Sequence, residues 1–420
     1  MKRRVVITGL GVIAPTGIGK NTFWQACKEG RSGIKLITRF NTEGYNSTIA
    51  GEIRDFDPLD YMNTKQAKRS DRFSQLAVAC ATLAVEDAHL NLEKVSRDRV
   101  GVYFGTAIGG MPFAEKQHEI FLEKGLGRVS PFLAEALFPG AGSCKIAIAL
   151  NVKGINNTLS TGCTAGTDAI GQALDALRNG RADVIIAGGA EDPLAPITFG
   201  SFCIIKALAT GNGDPAKATK PFDLKRNGFA LSEGAGVLVL ETLDHALKRD
   251  AMIYAELVGY GCSCDANHMV QPSPEGVELA NAIRLGLEDA SVVPEEVDYI
   301  NAHGTSTRLN DAAETKALKN VFGELAYHIP VSSIKSSIGH TWGGSGAVEA
   351  IASILAIRDQ FIPPTINYET ADPQCDLDYV PNKGRHASVN VIISNNASFG
   401  GKNAVLVIRK FQEDYGVSLG

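Results

Sequence analysis

No stretch of this sequence reaches the roughly 18 consecutive apolar residues that a membrane-spanning helix requires. Nor is there the basic excess of a general nucleic-acid binder: 41 Lys and Arg stand against 46 Asp and Glu, a net charge of -5. Closely spaced cysteine is also missing. Cys27, Cys80, Cys144, Cys163, Cys203, Cys262, Cys264 and Cys375 are scattered without the spacing of a disulfide framework, so they read as reduced thiols of a cytoplasmic protein. Cys262 and Cys264 form a lone Cys-x-Cys with no second pair or neighbouring histidines, a weak zinc signal best read as small packing side chains. No Pro/Ser-rich linker or low-complexity segment divides the chain. The opening MKRRVVITGLGVIAPTG sets a basic trio before an apolar run, as a secretory signal would, but Gly9 and Gly11 break the run early. It reads instead as a buried strand followed by a turn.

What is present is a packed α/β globule. At 420 residues the chain is too long for one ordinary core, and its 44 glycines imply tight turns and close backbone approaches. Short β-branched runs such as Arg4 to Gly9, Val100 to Gly105, Ala182 to Gly188 and Val297 to Ala302 each end in glycine or small residues before a helical pattern. The halves echo one another. VGVYFGTAIGG precedes a Cys-loop-helix and the strand DVIIAGGAE; VDYINAHGTST precedes a His-loop-helix and the strand NVIISNNASFGG. Both helices are small or apolar almost all round, as with Ile170, Ala173, Leu174 and Leu177 at i, i+3, i+4 and i+7, so each belongs between two sheets. The expected architecture is a layered α-β-α-β-α core built from similar halves, 1–250 and 251–420.

Chemistry concentrates at element edges. Cys163 ends an extended run and directly precedes a helix, whose unsatisfied N–H groups and positive dipole end favour a thiolate. Its pKa is therefore expected below that of a free thiol. His303 in NAHGTST sits at a strand end, and His340 in SSIGHTWGG precedes the second buried helix. Any one of the three could be a packing residue, but together they suggest a Cys-His-His constellation.

STGCTAG around Cys163, PFDLKRNGFALSEGAGVLVLE, NAHGTSTRLNDAAE, SSIKSSIGHTWGGSGAVEAI and SFGGKN occur in an order that resembles the beta-ketoacyl-acyl carrier protein synthases of the elongating, Cys-His-His type. The likeness spans nearly the whole chain. It implies the thiolase fold, with two pseudo-duplicated halves in five layers, and usually a dimer. It also implies decarboxylative condensation of an acyl group with malonyl-acyl carrier protein. By resemblance Cys163 is the acyl-carrying nucleophile, His303 and His340 assist decarboxylation, Lys335 is the active-site lysine and Glu349 the carboxylate near it. Phe399 matches the gating phenylalanine, whose N–H forms the oxyanion hole with that of Cys163. Thr305 and Thr307 match hydroxyls that touch the phosphopantetheine arm, and Ile108 and Phe202 match further substrate-binding positions. No cofactor is implied, since substrates arrive on the carrier's own arm. Asn301, Glu314, Glu349, Ser394 and Asn403 match a structural cation site seen in some members.

The glycine-rich turn departs from the family's usual Phe-Gly-Phe-Gly-Gly-Thr-Asn: here Ala397, Ser398 and Phe399 precede Gly400, Gly401 and Lys402. STGCTAGTDAIG and RLNDAAET look more like ketosynthase alpha subunits of type II polyketide systems than the fatty-acid enzyme, beta-ketoacyl-ACP synthase II. Lys65, Lys68, Arg69 and Arg72 fall at i, i+3, i+4 and i+7 and would form one basic helical face. That face could dock an acidic acyl carrier protein, with Lys206 a second contact by family position; a merely solvated face weighs equally. A cysteine protease needs one base and an orienting Asn or Asp, and a thiolase a second cysteine near the C-terminus, whereas Cys375 has no glycine-rich context. A chain-length factor, the silent relative that pairs with a ketosynthase, would lack the nucleophile. The partner is thus expected to be acyl carrier protein plus an identical chain or such a factor, with no nucleic acid and no membrane.

Overall fold

The computed structural model describes residues 2–210 and 213–413. Five strands of the first half are β1 (Val5–Ala14), β2 (Val100–Gly105), β3 (Asn156–Leu159), β4 (Val184–Glu191) and β5 (Gly234–Thr242). Five of the second are β6 (Ala255–Cys264), β7 (Tyr299–Asn301), β8 (Val331–Ser332), β9 (Val391–Ser398) and β10 (Lys402–Arg409). They run in the order β8-β7-β9-β10-β6-β1-β5-β4-β2-β3, with Gly17–Ile18 turning back on β1. In each half the outer three strands are parallel and the inner two antiparallel. The halves meet where β1 and β6 pair antiparallel, Val6 opposite Glu256 and Ile7 opposite Ala255.

Six helices complete the echo: α1 (Arg72–Asp87), α2 (Met111–Lys124), α3 (Ala165–Arg178), α4 (Val277–Ala290), α5 (Arg308–Phe322) and α6 (Ser345–Asp359). α3 and α6 touch each other and strands of both half-sheets; α1 covers the outer face of one half-sheet and α4, backed by α5, that of the other. The result is the five-layered thiolase-type arrangement. Every residue of α6 from Ser345 to Ile357 is buried, and Ile170, Leu174, Val348, Ile351 and Leu355 share one apolar cluster between the half-sheets. An all-round small and apolar composition suits only such a central layer.

Gly9 and Gly11 do not end β1, which runs on to Ala14. They are there because α1 lies on the strand: a Cβ at either glycine would collide with backbone carbonyls of Ala84 or Cys80. Gly259 and Gly261 do the same on β6 for α4, against Gly286 and Ala282. The register slips at matching places too, between Ile7 and Gly9 and between Leu257 and Gly259.

The basic face does not form as one surface. Thr64–Lys68 is a five-residue helix ending at Arg69, and Asp71 caps a new helix by accepting the Phe73 N–H. Arg72 turns inward to pair with buried Glu233 and to donate to the Ile53 carbonyl at 2.7 Å. The Arg69 guanidinium lies 4.4 Å from the Phe132 ring centroid, so only Lys65 and Lys68 stay exposed. The physical reason is the buried carboxylate of Glu233, which gathers Arg72 and, at 3.6 Å, Arg39 to offset its charge.

Candidate active site

The two buried helices begin alike. A 3-10 turn, Gly162–Thr164, leads into α3, and another, Trp342–Gly344, leads into α6. Cys163 lies in the first turn and His340 just before the second. Asp168 anchors the first, accepting Thr161 Oγ1 and Thr164 Oγ1 at 2.5 and 2.8 Å and the Tyr260 hydroxyl of the other half at 2.7 Å. His340 is gripped by the opposite half: its N–H donates to Ala230 O at 2.8 Å and its carbonyl accepts from Ser232 N at 3.0 Å.

His340 Nε2 stands 3.2 Å from Cys163 Sγ. Its Nδ1 lies 3.3 Å from the Trp342 backbone N–H, which can only donate, and 2.9 Å from Ser345 Oγ. Nδ1 is thus an acceptor, and a neutral ring keeps its hydrogen on Nε2, facing the sulfur. The His303 ring sits 5.4 Å from the His340 ring, nearly perpendicular to it. Glu314 holds its backbone, accepting the N–H groups of His303 and Gly304 at 2.7 and 2.8 Å. His303 Nδ1 lies 3.3 Å from both Lys335 Nζ and Asn396 Oδ1. Lys335 in turn pairs with Glu349, which also accepts Asn396 Nδ2 at 2.9 Å. Burial, and then the charge of Lys335, hold both imidazoles well below the usual histidine range. At neutral pH they are uncharged, each with one N–H to offer.

The expected acidity of Cys163 is reversed. Its side chain is almost wholly buried, and desolvation pushes the thiol up to about 12. The Lys335 charge, the Ser398 hydroxyl and the Phe399 N–H all pull the other way, but they do not offset burial. At rest the sulfur is a thiol.

Cys163, His303 and His340 line one cavity of about 590 Å³, which also takes in Phe202, Lys206, Thr305, Thr307 and Phe399. Thr307 joins Thr305 by a 2.9 Å hydroxyl contact and caps α5, so it combines cap and cavity wall. Lys206 is exposed beside the cavity, and Phe202 stacks on Phe399 at 6.2 Å. Lys335 and Glu349 stand behind His303, outside the cavity wall. Ile108 is not among the lining residues; its N–H is directed to Glu191 at 3.3 Å, which keeps that loop against the Gly343 turn. Asn403 also departs from its expected place, donating to Asp265 Oδ1 at 2.7 Å across the β6–β10 pair, while Glu349 is turned to Lys335. Within the rest of the candidate cation set Asn301 donates to Ser394 at 3.0 Å. The neighbouring Asn395, outside that set, donates to Glu314 at 2.7 Å, and the buried Oδ1 atoms of Asn301 and Asn395 have no hydrogen-bond partner, oxygen donors of the kind a hard cation takes.

Three functional groups escaped the sequence: Asn396, Ser345 and the Ser398 side chain. For Asn396 and Ser398 the signal was the polar run from Ser394 onward in an otherwise apolar buried strand, where polar side chains persist only with partners; nothing local marked Ser345.

The chain matches the family models for the beta-ketoacyl synthase N-terminal domain over residues 2–246 and C-terminal domain over 254–369. The chain belongs to the beta-ketoacyl synthase family. It is 46% identical over 411 residues to a 3-oxoacyl-[acyl-carrier-protein] synthase 2 of Synechocystis sp., covering 98% of this chain and 99% of that one. The counterpart of Coxiella burnetii is 45% identical over 409 residues, 97% and 99% of the two chains. Among solved structures, the ishigamide ketosynthase/chain length factor superposes with a TM-score of 0.92 at 39% identity, covering 98% of this chain and 100% of that one. A type II PKS ketosynthase bound to the hexaketide, in complex with its acyl-carrier protein, gives 0.89 at 37% over the same shares. This beta-ketoacyl synthase is an acyl-transferring condensing enzyme with the thiolase fold. Among its described residues no helix is long and apolar enough to cross a membrane.

Proposed function

We propose that this enzyme condenses a Cys163-bound acyl group with malonyl-acyl carrier protein, as the cytoplasmic ketosynthase subunit of a type II polyketide pathway. The observation that carries the chemistry is the meeting of Cys163 Sγ, His340 Nε2 and the His303 ring at one cavity wall. In the first half-reaction the sulfur attacks the carrier thioester, the phosphopantetheine thiolate leaves, and that thiolate takes up the proton Cys163 gives up. The N–H groups of Cys163 and Phe399 stabilise the oxyanion of the tetrahedral intermediate. In the second, bound malonyl loses carbon dioxide and its enolate oxygen takes hydrogen bonds from the two neutral imidazoles. The enolate carbon then attacks the acyl carbonyl and Cys163 leaves as thiolate. Lys335 and Glu349 orient His303 from behind. Asn301, Asn395, Ser394 and Glu314 would hold a structural cation, which carries no step of the reaction. Thr305 and Thr307 face the phosphopantetheine arm, and Lys206, Lys65 and Lys68 meet the acidic carrier.

The polyketide assignment rests on the wording around Cys163 and Asp311 and on Ala397 at the cavity, where a smaller residue than the family's phenylalanine leaves room for a bulkier chain. A second reading, fatty-acid elongation by a homodimer, is favoured by the 46% identity to the Synechocystis enzyme. Native mass spectrometry of the protein co-expressed with its genomic neighbours separates the two. A non-identical, cysteine-less partner and a polyketide mass on Cys163 are expected. A homodimer carrying saturated acyl chains would establish the second reading, and no acyl mass on Cys163 would contradict both.

A further inference from the structure

Ser398 is the last residue of β9, one position before Phe399, where the family's turn carries glycine. Its Oγ accepts the Cys163 backbone N–H at 2.9 Å. The same hydroxyl lowers the Cys163 pKa, against the larger effect of burial. It sits in a notch left by Gly162, whose φ is 68°; a Cβ there would collide with Ser398 Oγ. The hairpin backbone around it is tied down: Ser398 pairs with Lys402, Gly401 N–H donates to Ser398 O at 3.0 Å, and Gly400 N–H donates to Met269 O at 2.8 Å.

A backbone N–H has one hydrogen and serves one acceptor well. While Ser398 holds it, a thioester carbonyl oxygen cannot take the same donor. With the backbone pinned, rotation of the serine about χ1 to another staggered well is the least disruptive way to clear the place. We propose that Ser398 guards the oxyanion site, its hydroxyl standing in for the substrate carbonyl oxygen until a thioester displaces it. This rests on the reading that Cys163 accepts the acyl group. The guard does not act on malonyl decarboxylation, because the enolate oxygen formed there draws its donors from His303 and His340.

The test compares two reactions of the same sulfur in the full-length protein: acylation by a hexanoyl N-acetylcysteamine thioester, followed by intact mass, and alkylation by iodoacetamide. Acylation uses the oxyanion site and alkylation does not. Ser398→Ala should acylate roughly 3- to 10-fold faster, the net worth of one neutral hydrogen bond. Its alkylation should stay level or slow, since the sulfur loses a hydroxyl donor. A merely loosened turn would raise both rates and a damaged fold would lower both, so the ratio decides. Ser398→Gly, which restores the family's residue, should shift the ratio the same way and stands in if the alanine variant folds poorly. An acylation-to-alkylation ratio no higher than wild type in the folded variants overturns the guard. A wild-type protein that takes no acyl mass on Cys163 overturns the underlying reading instead, and the guard with it.

Discussion

The starts of α3 and α6 share a frame, while the Cys163 and His303 sides of the cavity differ in electrical character. Each follows a 3-10 turn, is gripped by a residue of the opposite half, and runs buried between the half-sheets. Around Cys163 the immediate partners are uncharged: a serine hydroxyl, backbone N–H groups and a neutral imidazole. Behind His303 lies a buried ion pair, Lys335 with Glu349, bridged by Asn396. One scaffold, used twice, thus holds a nucleophile at rest as a thiol and a donor set that is tied in place. The difference lies in a handful of side chains, since strand order, register slips and glycine contacts are common to both halves.

Breaking the charged side should have the largest effect. Lys335→Ala leaves Glu349 buried without its cation, which costs roughly 3–5 kcal/mol of stability, read as a lowered denaturation midpoint. Replacing the pair together, Lys335→Met with Glu349→Leu, should recover most of that stability while malonyl decarboxylation stays low. Recovery of both would show that the pair has no part in orienting His303.

Asn396→Ala comes next. It leaves Glu349 Oε2 short of a donor and removes the side chain packed against the His303 ring, a loss of roughly 1–3 kcal/mol, and should slow decarboxylation more than Cys163 acylation. Equal loss in both half-reactions would make Asn396 a packing residue only.

The uncharged side is sharpened by titration. A thiol pushed up to about 12 has little thiolate at neutral pH, so Cys163 should label with iodoacetamide more slowly at pH 7 than exposed Cys144, Cys262 and Cys264. Because the native pKa is raised, its rate should keep climbing above pH 9, and a plateau below pH 8 would contradict the neutral resting state. The smallest effect is expected far from both helix starts. Lys65→Glu with Lys68→Glu should slow association with the acidic carrier severalfold at low salt and leave a small thioester's rate unchanged.

The layered fold was legible because its signals are long and periodic: two all-round apolar helices and two strand-helix-strand repeats. Cys163, His303 and His340 were legible because each stands at an element edge. What stayed hidden depends on contacts across the duplication. No local pattern around Arg72 reveals that Glu233 needs a cation, and Asp71, the cap that breaks the basic face, is a common residue in any loop. The helix-terminus argument for an acidic Cys163 named a favourable effect but not the larger opposing one, burial, which only packing discloses. Gly9 and Gly11 read as a turn in isolation; the close approach of α1 explains them within a strand.

The central claim is a division of labour between Cys163 and the two histidines, and separated half-reactions test it most directly. Labelled carbon dioxide released from malonyl-carrier protein and the acyl-enzyme mass would be followed in Cys163→Gln, His303→Ala and His340→Ala. Cys163→Gln should lose all condensation yet keep measurable carrier-dependent decarboxylation, because the side chain removed is no donor to the enolate. Each histidine variant should lose roughly 100- to 1,000-fold in decarboxylation, as expected for removal of one oxyanion donor, while Cys163 still takes up acyl groups. Loss of both half-reactions to the same degree in all three variants would contradict the account.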